Sequence, residues 1–249
     1  MDAPRFYVRE PLAPGARIDL PAPVTRHAVR VLRLATGTRV TLFDGRGGEY
    51  PAVLEYVDRD YAYATVGAWD ERECESPLSI TLVQAVQAGD KMDYTIQKAV
   101  ELGVHAIVPL ESRRSVIRLA GERAAKRVAH WQGVVASACE QCGRNRLPLV
   151  SPLETVEKWL ARPPGGALRL MLAPGAERSL AEIAPATQVE LLVGAEGGLD
   201  ERELVAAQLA GFTAIRLGPR ILRTETAGLA ALSALQTLWG DFQREVHDV

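Results

Sequence analysis

The pattern of apolar and polar positions changes once along the chain, in the seventies of the numbering. Before that point, "RVTLFD" and "YAYATVGAW" alternate and are rich in β-branched and aromatic residues, which predicts strands. The glycines of "DGRGGEY" between them predict a turn. One helix interrupts, "VTRHAVRVLRL", with Val24, Ala28, Val31, Leu32 and Leu34 on its apolar side. These elements describe a small β-rich module with the character of a barrel. The acidic "WDERECESP" then reads as a linker ended by Pro77.

From Ser79 onward strand and helix alternate. "SITLVQAV" reads as a strand, "DKMDYTIQKAVEL" as a helix stopped by Gly103, and "HAIVPL" as a strand that buries His105. A long helix is expected from Gly121 to Cys142, followed by short "LPLV" and helical "PLETVEKWLA". "ALRLMLA" and "VELLVGA" are apolar strands. "DERELVAAQLA" is a helix that Asp200 and Glu203 can close with a capping box and Gly211 can end. "TAIRLG" is the last strand. A final helix from about Ala227 to Phe242 would bury Leu229, Leu232, Leu235, Trp239 and Phe242 along one stripe. Such alternation predicts an α/β domain with a mainly parallel sheet. The expected boundaries are residues 1–72 for the β-rich module and 73–249 for the α/β domain.

Composition narrows the class. With 47% apolar and 24% charged residues the chain is an ordinary globular protein. It has no run of about 18 apolar residues, and "MDAPRFYVREP" lacks a signal-peptide core. Three cysteines suggest a reducing compartment and no disulfide framework; the cytosol is expected. The net charge of −2 excludes an argument for nucleic acid from the total, but the charge is segregated. Residues 1–50 hold eight arginines against five acids, and residues 111–150 hold eight Lys/Arg against three. Positive segments of this kind suit a partner that carries phosphates.

Ligands of open α/β sheets sit beyond the carboxyl ends of the strands. Three such ends carry loops with Gly beside Pro or Gly: "LAPGAE" (172–177), "VGAEGGL" (193–199) and "LGPRILRTET" (217–226). Such loops bring bare N–H and C=O groups close to a ligand, and three together predict a pocket. "GAEGG" has neither the spacing of a dinucleotide fold nor the ending of a P-loop, and Glu196 would repel a pyrophosphate. A carboxylate there suits a ligand with positive charge or many donors.

"VGAEGGLDERE" followed by "LGPRILRTETA" resembles the bacterial 16S ribosomal RNA uridine-N3 methyltransferases of the SPOUT class. "QKAVELGVHAIVPLESRRSVI" and "ASACEQCGRNRLPLV" extend the resemblance, and "HAVRVLRLATGTRVTLFDGRGGEY" is similar to that family's PUA-like RNA-binding domain. Ala195 and Leu199 stand where that family usually has proline and phenylalanine. The resemblance implies a PUA-like β-barrel ahead of a SPOUT-type α/β domain with a C-terminal trefoil knot. It also implies S-adenosylmethionine as cofactor, 16S ribosomal RNA or the small ribosomal subunit as partner, and a homodimer whose active site draws on both subunits.

Under that resemblance the cofactor site comprises Leu172, Ala173, Pro174, Val193, Gly194, Ala195, Glu196, Gly197, Leu217, Gly218, Ile221, Leu222 and Thr226. Backbone groups of Leu217, Gly218 and Leu222 would read the adenine edge, with Leu172 and Val193 as apolar walls. Arg223 and Arg144 are the candidates to face the uracil oxygens, and Glu225 is the candidate base, its alternative role being favourable placement at a helix N-terminus. Arg26, Arg30 and Arg33, spaced along one helix face, and Arg113, Arg114 and Arg118 are the candidate phosphate contacts. The Cys139-x-x-Cys142 pair lies inside a helix without paired histidines and is read as structural, so no metal is expected. Trp131, Trp159 and Trp239 read as core. His27 is read as either an RNA contact or a packing residue. The competing readings are a SPOUT enzyme acting on another RNA or on a ribose 2′-hydroxyl, and a non-catalytic ribosome-assembly factor.

Overall fold

The structure is a computed structural model and describes residues 3–163 and 165–243. Its chain forms two compact units. One contains the residues up to Glu75 together with Cys139–Leu147, and the other contains Ser76–Ala138 and the chain from Pro148 onward. The segment Cys139–Leu147 lies outside the 1–72 span expected for the first module.

In the first unit, strands β1 (Arg5–Tyr7), β2 (Arg17–Asp19), β3 (Arg39–Phe43), β4 (Tyr50–Val57) and β5 (Ala62–Val66) form one sheet in the order β1-β3-β4-β5-β2. β1 runs parallel to β3 and the other pairs are antiparallel. Phe6, Leu42, Leu54 and Ala64 point into its core. The sequence pattern does not announce β4, because a register shift between Leu54 and Tyr56 breaks the alternation that betrays a strand. β1 and β2, at three residues each, are too short to show a period.

In this unit helix α1 (Ala22–Arg26) runs into a wider π-type turn at His27–Val31. That widening rotates the residues beyond it about the helix axis. Ala28 is buried as expected, but Val31 and Leu32 are 66% and 40% exposed rather than apolar-side residues. The acidic stretch is more than a linker. Glu49 and Asp70 exchange main-chain hydrogen bonds at 2.8 Å, Glu73 accepts from the Gly48 N–H at 2.9 Å, and Asn145 donates to the Arg72 carbonyl at 2.7 Å.

The second unit is a wholly parallel sheet. Its strands are β6 (Ser79–Ala85), β7 (Ala106–Glu111), β8 (Leu149–Val150), β9 (Glu154–Thr155), β10 (Leu168–Leu172), β11 (Arg178–Ser179), β12 (Gln188–Val193) and β13 (Thr213–Arg216). The order is β11-β13-β10-β12-β6-β7-β8, with β9 on β7. Helices α2 (Lys91–Glu101), α3 (Gly121–Cys142), α4 (Val156–Leu160), α5 (Glu201–Leu209) and α6 (Thr224–Trp239) complete it, although the last turn of α3 belongs to the first unit. α4 and α5 pack over Val83, Met171 and Leu192, where Trp159 meets Phe212 at 5.7 Å. α2 packs on α6, whose Gly228 faces Leu82. Burial on both faces explains the near-continuous apolar runs of β6, β10 and β12.

Four local differences from the sequence pattern stand out. α6 starts three residues earlier than expected, because Arg223 takes the extended N-cap conformation and Thr224 opens the helix. It ends at Trp239, so Trp239 is half-buried and Phe242 is 47% exposed. α4 is short because β9 occupies Glu154–Thr155, and Thr155 Oγ1 caps it by accepting from the Lys158 N–H at 3.2 Å. His105 precedes β7 and is exposed, not buried.

Candidate functional site

β13, β10 and β12 are neighbours, so their carboxyl ends bring three loops together. Leu172, Ala173 and Pro174 after β10 line one cavity of about 360 Å³ with Val193, Gly194, Ala195, Glu196 and Gly197 after β12 and with Leu217, Gly218, Ile221 and Leu222 after β13. Its walls are mainly apolar, with Leu199, Leu204 and Ile215 among them. Among the described residues, the main-chain groups of Leu217, Gly218 and Leu222 have no hydrogen-bond partner in the protein. They are available to a ligand.

The loop after β12 folds tightly back. A Cβ on Gly194 would lie 2.8 Å from the carbonyl carbon of Gly198 and from the Leu199 nitrogen, so glycine is required by the loop's own return. Buried Thr224 fixes this turn to the start of α6 by donating to the Gly194 carbonyl at 2.6 Å. Its hydroxyl in turn accepts from Gln84 at 3.1 Å and Gln87 at 3.4 Å, and Thr95 donates to Gln87 at 2.8 Å. The resemblance assigns Thr226 to the cofactor site instead. That residue is exposed and does not line the cavity, since two positions along a helix turn a side chain to the opposite side. A polar "Q-x-x-Q" closing the apolar run of β6 is the available signal for Gln84 and Gln87.

Glu225 and Arg223 lie at the start of α6, next to the cavity residues Leu222 and Thr224 in the chain. Lys91 Nζ stands 3.5 Å from Glu225 Oε1 and 3.8 Å from Glu196 Oε1, and Glu196 Oε1 also accepts from the Ala88 N–H at 3.1 Å. Glu225 Oε2 is buried without a hydrogen-bond partner among the described residues. Arg223 is exposed at the N-cap.

Arg144 lies in the first unit and is 4% exposed. It pairs with Glu75 through Nε at 3.1 Å and Nη2 at 2.6 Å. Burial opposes its charge, and the bonds and field of Glu75 outweigh that effect, raising its pKa above the ordinary guanidinium value. Cys139 of the same unit is fully buried, and burial pushes its thiol up to about 12, which makes it inert. No cluster that could hold a metal occurs among the described residues.

The remaining arginines divide. Arg26, Arg30 and Arg33 are exposed, and Arg33 lies beyond the π-type turn in a left-handed conformation (φ 52°), off the helix face that its spacing suggests. Arg113 Nε bonds Glu157 at 2.9 Å, and its N–H donates to buried Glu203 at 2.7 Å. Arg118 bonds Glu111 at 2.8 Å and the carbonyls of Ser112 and Arg113 at 3.0 and 2.8 Å. Arg114 lines the cavity and donates to the Gly197 carbonyl at 2.8 Å.

The site is thus a strand-end cavity of a parallel α/β domain, in a chain that also carries a small β-rich unit. An RNA methyltransferase domain model matches residues 74–236, and an RNA methyltransferase PUA domain model matches residues 20–67. The ribosomal RNA small subunit methyltransferase E of Buchnera aphidicola subsp. Schizaphis graminum is 33% identical over 239 residues, covering 96% of this chain and 97% of that one. The enzyme of the same name from Mycobacterium bovis is 32% identical across 100% of this chain and 97% of its own. A crystal structure of ribosomal RNA small subunit methyltransferase E from Neisseria gonorrhoeae bound to S-adenosyl methionine superposes with a TM-score of 0.92, at 47% identity, over 97% of this chain and 100% of that one. The chain belongs to the ribosomal RNA small subunit methyltransferase E family.

Proposed function

We propose that this protein uses S-adenosylmethionine to methylate N3 of a uridine in the 3′ decoding region of 16S ribosomal RNA, acting as a cytoplasmic homodimer. The observation that carries the reading is the convergence of three strand-end loops on one cavity beside Glu225 and Arg223. At about 360 Å³ the cavity falls in the range of small-molecule sites. Leu172, Val193 and Ile215 suit the faces of an adenine, and the unpartnered main chain of Leu217, Gly218 and Leu222 suits its edge. Glu196 supplies the carboxylate that a cationic ligand favours. When bound, the cofactor supplies an electrophilic methyl group on a sulfonium.

Ionising uracil N3 at neutral pH costs about 3–4 kcal/mol at about 1.36 kcal/mol per pH unit. We assign Glu225 the task of lowering that cost: its carboxylate, with Oε1 held by Lys91, would take the N3 proton as the substrate docks. Arg223, at the same helix start, faces the negative charge that then spreads over the uracil oxygens. Arg144 is left out of this step because its guanidinium is buried and already bonded to Glu75. Residues 1–72 serve as the RNA-binding domain, with Arg26, Arg30 and Arg33 as phosphate contacts, and residues 73–249 as the methyl-transferring domain.

The test is methyl transfer to isolated small-subunit RNA and to small subunits, with mass-spectrometric mapping of the modified base. Label at uracil N3 supports the reading, and label on a ribose 2′-oxygen overturns it. Glu225→Gln should lower turnover at least about 100-fold with cofactor affinity nearly unchanged. Equal turnover in the variant removes Glu225 from the chemistry.

A further inference from the structure

We infer that Arg114 is a positioning residue of the cofactor loop: its guanidinium ties the Gly197 carbonyl and holds the loop after β12 in its binding shape. The inference rests on the reading of the cavity as the cofactor site, and it gives Arg114 a task different from that of a phosphate contact.

Three observations support it. First, the segment that carries Arg114 is held in place on both sides. Ser112 and Ser115 are buried, the Ser112 N–H donates to Ser115 Oγ at 3.1 Å, and the Ser115 N–H donates to the Ser112 carbonyl at 3.1 Å. Arg118 bonds the carbonyls of Ser112 and Arg113, and the Arg113 N–H donates to Glu203 at 2.7 Å. Arg114 is therefore presented from a rigid turn, and little freedom is lost when its side chain reaches across.

Second, the loop it meets is shaped to receive it. A Cβ on Gly197 would lie 3.2 Å from Arg114 Cβ and 3.3 Å from Arg114 Cδ, so the bare backbone of Gly197 is what allows the arginine stem to lie against the loop. Third, Arg114 lines the cavity together with Glu196, Gly197 and Leu199 of that loop. Glu203 links the two sides. The same buried carboxylate that accepts from Arg113 accepts from the Asp200 N–H at 2.8 Å, just past the loop. Loop and turn are thus joined at Glu203 and again at Arg114.

A charge-assisted hydrogen bond that orders a binding loop lowers the cost of binding, and its loss appears in affinity more than in the chemical step. The test measures cofactor binding by calorimetry, steady-state kinetics, and the salt dependence of RNA binding for wild type, Arg114→Met, Arg114→Lys and Gly197→Ala. Arg114 is exposed, so its variants should keep the wild-type melting temperature. The expected result for Arg114→Met is a cofactor Kd and KM raised roughly ten-fold, with kcat at saturation near wild type and the salt slope unchanged. Arg114→Lys, which keeps one charged donor, should recover part of the loss. Gly197→Ala should also weaken cofactor binding, and the double variant should lose less than the product of the two single losses.

Wild-type cofactor affinity in Arg114→Met overturns the inference. If that variant also reduces the salt slope by about one unit, Arg114 is a phosphate contact instead. Failure of the wild-type protein to bind S-adenosylmethionine would sink the reading of the cavity itself, a separate outcome.

Discussion

Arg26, Arg30 and Arg33 in the first unit, and Arg113, Arg114 and Arg118 in the second, carry the same charged group within short stretches of chain. In the first set, Arg26 and Arg33 have no side-chain partner among the described residues, and Arg30 meets exposed Asp60 at 3.3 Å. In the second set every guanidinium already has an acceptor: Glu157, the Gly197 carbonyl and Glu111. A guanidinium surrounded by water and counterions can exchange them for a phosphate, and the released ions drive binding. One that already bonds a carboxylate and two carbonyls would first have to break those bonds. Its energy goes into ordering a loop.

The sharpest way to break this contrast is Glu203→Ala. It removes the acceptor of two N–H groups, those of Arg113 and Asp200, in a side chain only 1% exposed. A stability loss of about 3 kcal/mol is expected in chemical denaturation, with weaker cofactor binding. A loss below about 1 kcal/mol would mean that water replaces the carboxylate readily. Next is the triple change of Arg26, Arg30 and Arg33 to Ala. RNA affinity should fall roughly 10–100-fold at low salt and the log–log salt slope should drop by about two to three units, while the melting temperature stays within about 2 °C. An unchanged slope would reduce these residues to ordinary surface.

Arg118→Ala should do the reverse. It is expected to cost about 1 kcal/mol of stability through the turn it closes and to leave the salt slope alone. The smallest effect concerns pH. The main-chain N–H of Glu157, and then Arg113, hold the Glu157 carboxyl below the usual carboxylate range. Because the folded value is the depressed one, this contribution is complete above the ordinary value of 4.5 and fades as pH falls through the folded value. Glu157→Gln should therefore melt about 1–2 °C below wild type at pH 7, with the gap closing as the pH falls below the ordinary carboxylate value in thermal scans.

The two units also differ in how far their sequence announces them. Strands β6, β10 and β12 are buried on both faces and read as apolar runs, and the Asp200–Glu203 capping box is a local signal that the structure contains. The first unit is legible only in part: β3 and β5 read as alternating strands, and the rest does not. A bulge interrupts β4, β1 and β2 span single turns of the pattern, and the π-type turn after Arg26 displaces Val31, Leu32 and Arg33 from the side their spacing assigns. At the cavity, the glycine loops are visible as composition. The ties that shape them are not, because Thr224 to Gly194, Arg114 to Gly197 and Glu203 to Arg113 join residues 30, 83 and 90 positions apart. Hydropathy carries no record of such pairs.

The second visit of the chain to the first unit bears on how that unit can be made. Arg5 reaches the Gly143 carbonyl at 3.3 Å and Asn145 Oδ1 at 2.6 Å, and the Tyr7 N–H reaches Glu140 at 2.9 Å. A polypeptide emerging from the ribosome cannot close these bonds until residue 145 is outside the exit tunnel, well after β5 has been synthesised. An expression fragment cut at residue 72 would begin β1 with three of its anchors missing.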